Sequence, residues 1–340
     1  MSSDVNTTAG DVSPDAILRI GSGFRAAKVL FVANEVGLFE HLAAGPASVP
    51  DLADRMRIAP SRLTVLVHAL VALGLVERRD GTYHNSPVAA AFLSGQAGPD
   101  LRPALRFWDR LSYPRWTKLE DAVRTGRPQG RLGAAQEQRI FSEGVEALSA
   151  GAAHALATAY DFGRHRRVLD LGGGTGSWLT AILRHHGHLQ ATLFERPGPA
   201  AIARQRLAAD PATRHVRVVE GDFGQDPIPP GHDAVLLANV LHGGPAARSI
   251  ALLRRVRASV PAGARLLLAD LWTDPAQTGP LLALLFGCEF LVYGGEGGVC
   301  SEEEADGWLR ESGWRPLDHA PLGGPQRVIV AEGDDLGAAG

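Results

Sequence analysis

A glycine-rich turn is the part of this sequence with the strongest chemical signal. Residues 167–177 read Arg-Val-Leu-Asp-Leu-Gly-Gly-Gly-Thr-Gly-Ser, an apolar run that leads through glycines into a helical pattern. Glycines at such a turn permit positive φ and let the backbone approach a ligand, at the edge where open α/β sheets bind ligands. The dinucleotide fingerprint requires another glycine at position 177, where this chain has Ser177, so the turn disfavours NAD.

Acidic residues follow the next two predicted strands. The second strand ends at Phe194-Glu195, and the third is followed by Asp222 and Phe223. Glu195 could accept two hydrogen bonds from a ribose diol, while Asp222 and the Phe223 ring suit the amine and ring face of adenine. The spacing therefore favours a nucleoside without a pyrophosphate. The alternatives are that Glu195 caps the following helix and that Asp222 is a turn residue.

The elements that must position these residues alternate regularly after Gly163. Short apolar runs, typical of buried strands, are separated by helical stretches. The runs are Val168–Leu171, Leu189–Phe194, Val216–Val219, Ala234–Ala238, Arg265–Ala269 and Arg327–Ala331. The pattern predicts a parallel sheet with helices on both faces, which is an α/β, Rossmann-like fold.

A mostly helical segment precedes this sheet. Apolar residues at helical spacing predict two helices over residues 14–42. A helix N-cap signature at Ser48-Val-Pro-Asp51 and a second start at Pro60 predict two more helices, the last of which Gly74 stops. Asp80-Gly81 then predicts a β-hairpin.

Helix, helix and hairpin in this order form the pattern of a winged helix-turn-helix, for which two functions are open. DNA binding is one function. A structural role is favoured, because the second helix offers only Arg62 and His68 as groove contacts.

Residues 85–160 are predicted to be helical, with breaks at Gly98-Pro99-Asp100 and Arg127-Pro128. This region contains an aromatic cluster that consists of Phe107, Trp108, Leu111, Tyr113 and Trp116. One interpretation is packing in a core or a domain interface. The other is the wall of an aromatic substrate pocket.

The composition excludes several classes of protein. Among 340 residues, 34 are Lys or Arg and 37 are Asp or Glu, and this net charge of -3 disfavours a dedicated nucleic-acid or anionic-membrane binder. Cys288 and Cys300 are the only cysteines, which excludes a disulfide scaffold. Because residues 1–12 lack a signal-peptide pattern and no long uncharged apolar run occurs, we expect a cytoplasmic protein.

The glycine-rich segment resembles the S-adenosylmethionine-dependent methyltransferases. The whole chain resembles the small-molecule O-methyltransferase family, which includes plant caffeate-type and bacterial polyketide-tailoring enzymes. The resemblance is carried by Val168-Leu-Asp-Leu-Gly-Gly-Gly-Thr-Gly176, Gly221-Asp222-Phe223, Asp233-Ala-Val-Leu-Leu-Ala-Asn-Val-Leu-His242, Ser301-Glu-Glu-Glu304 and Ser312-Gly-Trp314. That family has an N-terminal winged-helix dimerisation domain, so the resemblance implies a homodimer without nucleic-acid or membrane partners.

The resemblance also implies the cofactor, S-adenosylmethionine, and no metal. Gly172 and Glu195 match the family's cofactor-contacting glycine and its ribose-binding acid, which is normally Asp. Asp222 and Phe223 match its adenine contacts. The full set of expected cofactor-binding residues is Asp170, Gly172, Gly174, Gly176, Glu195, Arg196, Gly221, Asp222, Phe223 and Asn239.

For catalysis, His242 matches the family's general base and Asp270 matches an acidic residue near it. A histidine suits this work, because it can be unprotonated near neutral pH and still accept a proton. The expected acceptor-binding residues are Phe107, Trp108, Tyr113, Trp116, Phe286 and Phe290. The implied reaction is methylation of a phenol or enol hydroxyl on a small aromatic or polyketide-like natural product.

Two departures from the family pattern keep other functions open. His242 is followed by Gly243-Gly-Pro245 instead of Asp-Trp, and Val299 stands where the family has a second carboxylate. Glu296 could replace that carboxylate only if the loop 294–298 folds differently. The alternatives are C- or N-methylation, non-methylating chemistry on the same fold, and a ligand-responsive winged-helix transcription regulator.

The expected domain organisation has three parts between two tails. Residues 13–96 form the dimerisation domain, 97–160 a helical connector that lines the acceptor pocket, and 161–332 the cofactor-binding domain. Residues 1–12 and 333–340 are predicted to be disordered.

Overall fold

The computed structural model describes residues 13–96, 98–130, 133, 135–242, 244–294, 296 and 298–335. The tail predicted over residues 1–12 lies outside the described residues. The chain divides between Asp109 and Arg110 into an N-terminal and a C-terminal unit. This division falls inside the connector that the sequence predicts over residues 97–160, so α6 belongs to one unit and the later connector helices belong to the other.

The N-terminal unit contains the predicted helices and hairpin. Its elements are α1 (Asp15–Glu35), α2 (Leu38–Ala43), α3 (Val49–Met56), α4 (Pro60–Ala72), β1 (Val76–Arg79), β2 (Thr82–Asn85), α5 (Pro87–Leu93) and α6 (Arg102–Phe107). The capping box predicted at Ser48 is confirmed, because its hydroxyl accepts from the Asp51 amide and the Asp51 carboxylate accepts from the Ser48 amide. Leu38, Phe39 and Leu63 are fully buried in this unit.

The C-terminal unit is built on a seven-stranded sheet of order β5-β4-β3-β6-β7-β9-β8. Its strands are β3 (Arg167–Leu171), β4 (Gln190–Glu195), β5 (Arg217–Glu220), β6 (Ala234–Ala238), β7 (Arg265–Leu271), β8 (Trp314–Pro321) and β9 (Gln326–Gly333). Strands β3 to β7 are mutually parallel, as predicted.

Helices cover both faces of this sheet, which confirms the predicted layers. The helices of the C-terminal unit are α7 (Tyr113–Trp116), α8 (Leu119–Thr125), α9 (Ala135–Ala159), α10 (Ser177–His185), α11 (Pro197–Ala209), α12 (Ala246–Ser259), α13 (Leu281–Gly294) and α14 (Glu302–Glu311). Alternate strand residues point to opposite faces. Val168 therefore packs in one core with α9, α10 and α11, while Leu169 packs in a second core with α12 and α14.

The prediction of a wholly parallel sheet is wrong at one edge. Strand β9 runs antiparallel to both β7 and β8, because it returns from β8 after a short connection through Gly323 and Gly324. Strand β8 has no clear strand signal in the sequence, since Pro316 and Pro321 interrupt it. Proline is tolerated there because β8 is an edge strand.

The tail predicted from residue 333 begins too early. Gly333 is buried in β9, where its amide donates to the Ala264 carbonyl. Asp334 and Asp335 are exposed, and residues 336–340 lie outside the described residues.

Candidate active site

The candidate site lies at the carboxyl ends of the central strands. Strand β3 pairs with β4 on one side and with β6 on the other, so the strand order reverses beside β3. In open α/β sheets the crevice at such a point binds ligands. The glycine-rich turn follows β3, Glu195 ends β4, and His242 and Asp270 lie at the ends of β6 and β7.

Gly172 and Gly176 in the turn combine positive φ with close packing. Gly172 has φ +76°, and a Cβ there would lie 3.1 Å from Val240 Cγ2 and 3.2 Å from the Phe223 ring. Gly176 has φ +82°, and its Cβ would lie 2.9 Å from Leu207 Cδ2. Positive φ and close packing both require glycine at these positions. The backbone of the turn can therefore approach a ligand directly.

Glu195 is buried and braces the turn from the end of β4. Its Oε2 accepts from the Gly174 amide at 3.0 Å, and its Oε1 accepts from the Arg196 amide at 2.7 Å. Arg196 is the N-cap residue of α11, and this helix has no side-chain cap hydrogen bond, so the helix-capping alternative for Glu195 gains no support. A carboxylate has about four acceptor positions, so two bonds leave capacity for a ribose diol.

Asp222 and Phe223 lie beside the turn, after β5. The Asp222 Oδ1 accepts from the Gly224 amide at 2.8 Å, which is the turn role that the sequence left open. Phe223 packs against the core that contains Leu169, and its ring lies near Gly172. At Gly221, a Cβ would lie 2.5 Å from the Phe194 ring, so this position also requires close backbone packing.

Asp170 is fully buried below the turn. Neither carboxylate oxygen has a hydrogen-bond partner within the described part of the chain. Burial raises the pKa of Asp170 to about 8, and the nearby charge of Glu195 adds to this rise. The turn therefore lies over a carboxyl group that favours its protonated form.

This pKa shift predicts a pH-dependent stability. The folded state binds the Asp170 proton more tightly than the unfolded state, so the free energy of unfolding decreases as pH rises from about 4 to about 8. Asp170→Asn should remove this dependence. A single pKa unit is already worth about 1.4 kcal/mol, so over this range the melting temperature of the wild type should fall by at least roughly 3–6 °C more than that of the variant.

Calorimetric melting curves at a series of pH values, without added ligand, measure this difference. Asp121→Asn, which changes an exposed carboxylate on α8, is the matched control and should follow the wild type. If the melting temperatures of the wild type and Asp170→Asn change with pH in the same way, the raised pKa of Asp170 is contradicted.

His242 and Asp270 form a close pair. The His242 Nδ1 lies 2.6 Å from the Asp270 Oδ1, and Asp270 is 2% exposed. The Leu271 amide donates to the same oxygen at 2.8 Å, which fixes the carboxylate. Because a carboxylate only accepts, Nδ1 carries the proton of this bond and Nε2 is left as the basic nitrogen.

Phe290 fixes the other side of the imidazole. Its ring stacks on the His242 ring at 4.2 Å between centroids and 8° between planes. Phe286 lies one turn earlier on α13, with its ring centroid 6.0 Å from that of Phe290. The two predicted acceptor-binding residues on α13 are thus adjacent to each other, and one of them contacts the predicted base.

Among the described residues, Asp270 is the one carboxylate with a hydrogen bond to His242. Val299 is buried and packs with Leu271, Phe286 and Phe290. Glu296 is exposed, and its neighbours at 295 and 297 lie outside the described residues. The described residues therefore do not support the replacement of the missing carboxylate by Glu296. Asp270 is the acid that contacts His242.

The other predicted site residues have varied surroundings. Asn239 has φ +57°, and its amide donates to Ser149 and accepts from Gln326. Most of the Arg196 side chain is exposed. Phe107 and Trp108 belong to the N-terminal unit, and Tyr113 and Trp116 to the C-terminal unit. The binding roles of all these residues stay predictions.

Sequence reasoning missed the partners of these residues. Ser149 and Gln326 are 90 and 87 positions from Asn239, and no local pattern connects them. Thr175 in the turn donates to Glu146 on α9, again across a distance that spacing cannot show. Glu289 on α13 is also missing from the sequence-predicted site, because no local motif marks it.

Comparison with known proteins decides the family. A family model described as O-methyltransferase domain matches residues 116–315. The chain belongs to the O-methyltransferase family. A second model of the family, the O-methyltransferase dimerisation domain, matches residues 18–95, which contain the helix, helix and hairpin of the N-terminal unit.

Relatives within the O-methyltransferase family match nearly the whole chain. One is the 3-hydroxy-5-methyl-1-naphthoate 3-O-methyltransferase of Streptomyces sahachiroi, 33% identical over 88% of this chain and 89% of that protein. Another is the N,N-dimethyltransferase OxyT of Streptomyces rimosus, 30% identical over 88% of this chain and 90% of that protein.

A solved structure of the family has the same fold. Human N-acetylserotonin methyltransferase, crystallised in complex with SAM, matches with a TM-score of 0.87 and 26% identity over 96% of this chain and 99% of that chain. Within the described ranges, none of the helices combines the length and apolar character needed to cross a membrane.

Proposed function

We propose that this protein transfers a methyl group from S-adenosylmethionine to a hydroxyl of a small aromatic natural product, with His242 as general base. The observation that carries the proposal is the 2.6 Å contact between His242 Nδ1 and Asp270, at the same sheet edge as the glycine-rich turn. This contact leaves His242 Nε2 available to accept a proton.

The residues around the turn fit a nucleoside that carries a positive charge. Glu195 offers its remaining acceptor positions to a ribose diol, and the Phe223 ring beside Gly172 offers a face for adenine. The fully buried Asp170 lies below the same turn, and its carboxyl oxygens have no hydrogen-bond partner among the described residues. When bound, S-adenosylmethionine supplies a methyl group activated by its sulfonium.

In this site the protein positions the acceptor and removes one proton. His242 Nε2 takes the hydroxyl proton, and Asp270 stabilises the positive charge that then spreads to Nδ1. Phe290 prevents the imidazole from rotating by stacking on its face. Methyl transfer is a direct displacement, so alignment of the oxygen supplies much of the rate.

The proposed acceptor is a fused aromatic system with a free hydroxyl. Phe286 and Phe290 present aromatic surface next to His242, and a relative at 33% identity acts, by its name, on a hydroxynaphthoate. N-methylation is the second candidate, because OxyT is an N,N-dimethyltransferase by name and Val299 removes one carboxylate from the pattern.

Mass spectrometry of reaction mixtures tests the function. Purified protein, S-adenosylmethionine and a panel of naphthols and naphthylamines should yield O-methylated naphthols. Methylation of the amines alone would support the second candidate. Calorimetry that detects tight binding of NAD and none of S-adenosylmethionine would overturn both.

We also propose a homodimer formed through the N-terminal unit. Helix α1 exposes large apolar side chains, namely Ile17 (75%), Leu18 (62%), Ile20 (79%) and Phe24 (52%). A contiguous apolar surface of this kind is unusual on a monomer. Light scattering at micromolar concentration should give twice the 36.0 kDa chain mass.

Replacing apolar side chains on α1 should dissociate that dimer. Ile20→Asp with Phe24→Asp places charges on the exposed face and should shift the mass toward 36.0 kDa. Val123→Asp, at an exposed apolar position on α8, serves as the control and should leave the mass unchanged. A monomeric wild type would contradict the proposal.

A further inference from the structure

Helix α13 carries a partly buried carboxylate, that of Glu289, which the proposed reaction does not use. Phe286, Glu289, Phe290 and Tyr293 are spaced i, i+3, i+4 and i+7, so they share one face of the helix. Phe290 on that face stacks on His242. Glu289 is therefore the charged residue next to the aromatic surface that flanks the base.

Only one of the two carboxylate oxygens of Glu289 accepts hydrogen bonds from the described residues. Its Oε2 accepts from the Ser112 hydroxyl at 2.9 Å and from the Trp116 indole Nε1–H. Its Oε1 is shielded from solvent and has no hydrogen-bond partner within the described ranges. Burial raises the pKa of Glu289, although the two donors and the charge of Arg115 oppose this rise.

The nearby cation is engaged with other groups. Arg115 donates to the Tyr293 hydroxyl at 2.9 Å and to the Leu111 carbonyl at 3.2 Å, and its guanidinium lies 4.6 Å from the centre of the Tyr293 ring. These contacts fix the side chain of Tyr293, which lies on the same face of α13 as Glu289. The contacts of Arg115 and Tyr293 near the carboxylate therefore do not involve Oε1 of Glu289.

A purely structural role does not account for an acid at this position. Linking α13 to Ser112 and Trp116 requires one acceptor, which a neutral amide could supply at a lower cost of burial. A buried carboxylate oxygen without a donor is destabilising, and such groups occur where function requires them. A donor carried by a ligand would satisfy Oε1.

We propose that Glu289 binds the acceptor through a hydroxyl or N–H group other than the group that is methylated. The protein then selects aromatic acceptors that carry this second donor over those that lack it. This inference rests on the proposed function, because it takes the surface beside His242 as the acceptor site. Glu289 acts in binding and does not contact the reacting atoms.

Paired probe ligands test the inference. Each pair consists of a naphthol and its analogue with an added hydroxyl or amino group on the far ring, and calorimetry measures binding to the protein saturated with S-adenosylhomocysteine. The wild type should bind the donor-bearing member at least about tenfold more tightly, the effect expected of a hydrogen bond to a charged group. Glu289→Leu should reduce this ratio to about two or less, and Glu289→Gln should give an intermediate ratio.

Glu303→Gln, at an exposed position on α14, is the matched control and should keep the wild-type ratio. A wild-type ratio near one, or a ratio that Glu289→Leu leaves unchanged, would overturn the inference. A fall in melting temperature without a change in ratio would show that Glu289 only links α13 to Ser112 and Trp116, and would overturn it too.

Methyl transfer to the same probes separates this inference from the proposed function. Selective binding that depends on Glu289 in a protein that methylates none of the probes would retain the Glu289 assignment and reject the proposed reaction. Methylation of the probes with no dependence on Glu289 would do the reverse.

Discussion

His242→Ala is expected to lower turnover by roughly 10²–10⁴-fold, which is the usual contribution of a positioned base. The variant removes Nε2, the proton acceptor that the Asp270 contact leaves available. Affinity for S-adenosylmethionine should remain almost unchanged, because His242 is not among the residues expected to contact the cofactor. Steady-state kinetics and calorimetry measure the two quantities.

The pH profile separates base catalysis from alignment. If His242 is the base, the pH profile of wild-type turnover should have an ascending limb, and this limb should be absent from His242→Ala. If the acceptor hydroxyl ionises unaided, the loss should shrink to about tenfold or less, since alignment then dominates. Equal rates and equal profiles for variant and wild type would show that His242 is structural.

Two further variants and a control complete this test. Asp270→Asn leaves Nδ1 without its anionic partner and should cost part of the same loss, while the double variant should resemble His242→Ala because the residues act as a unit. His185→Ala, at an exposed position at the end of α10, is the matched control and should keep wild-type kinetics.

Glu195→Ala is expected to weaken S-adenosylmethionine binding by roughly 10²-fold or more. The substitution removes the hydrogen bonds proposed to the ribose diol, and each such bond to a charged group contributes about 1.5–3 kcal/mol. It also removes the acceptor of the Gly174 amide, so the glycine-rich turn loses a hydrogen bond that holds its backbone. Calorimetric titration gives the dissociation constants.

The adjacent strand supplies the control for this substitution. Glu220 pairs with Glu195 in register, but its side chain is exposed and bonds to Arg204. Glu220→Ala should therefore bind S-adenosylmethionine as the wild type does. A folded Glu195→Ala protein with a dissociation constant within about threefold of the wild type would show that Glu195 only holds the backbone of the glycine-rich turn through the Gly174 amide.

Local signals in the sequence determined most of the elements. The capping boxes at Ser48 and Ser301 and the hairpin turn at Asp80-Gly81 each depend on residues within one turn of chain, so their geometry can be predicted without tertiary contacts. The buried parallel strands are equally visible, since each is a short apolar run between helical stretches.

The edge of the sheet depended on tertiary structure. Strand β8 contains two prolines and alternates poorly, and only its place beyond β9 makes such a strand acceptable. The direction of β9 follows from that pairing. Sequence alone therefore predicted β9 as a strand but assigned it the wrong orientation.

The site divides in the same way. The glycine-rich turn, Glu195 and Asp222 were predicted from spacing, because parallel strands bring their carboxyl ends to one edge. His242 and Asp270 were predicted by resemblance, and the tertiary structure supplied the contact between their side chains. Glu289 contacts Ser112, which is 177 positions away in the chain, and only the packing of α13 creates that contact.

Hydrogen bonding within one turn of chain depends on nearby residue types, whereas burial and long-range contacts depend on how the whole chain packs. The sequence therefore determined the elements and the cofactor edge, and the tertiary structure decided which buried charges have partners.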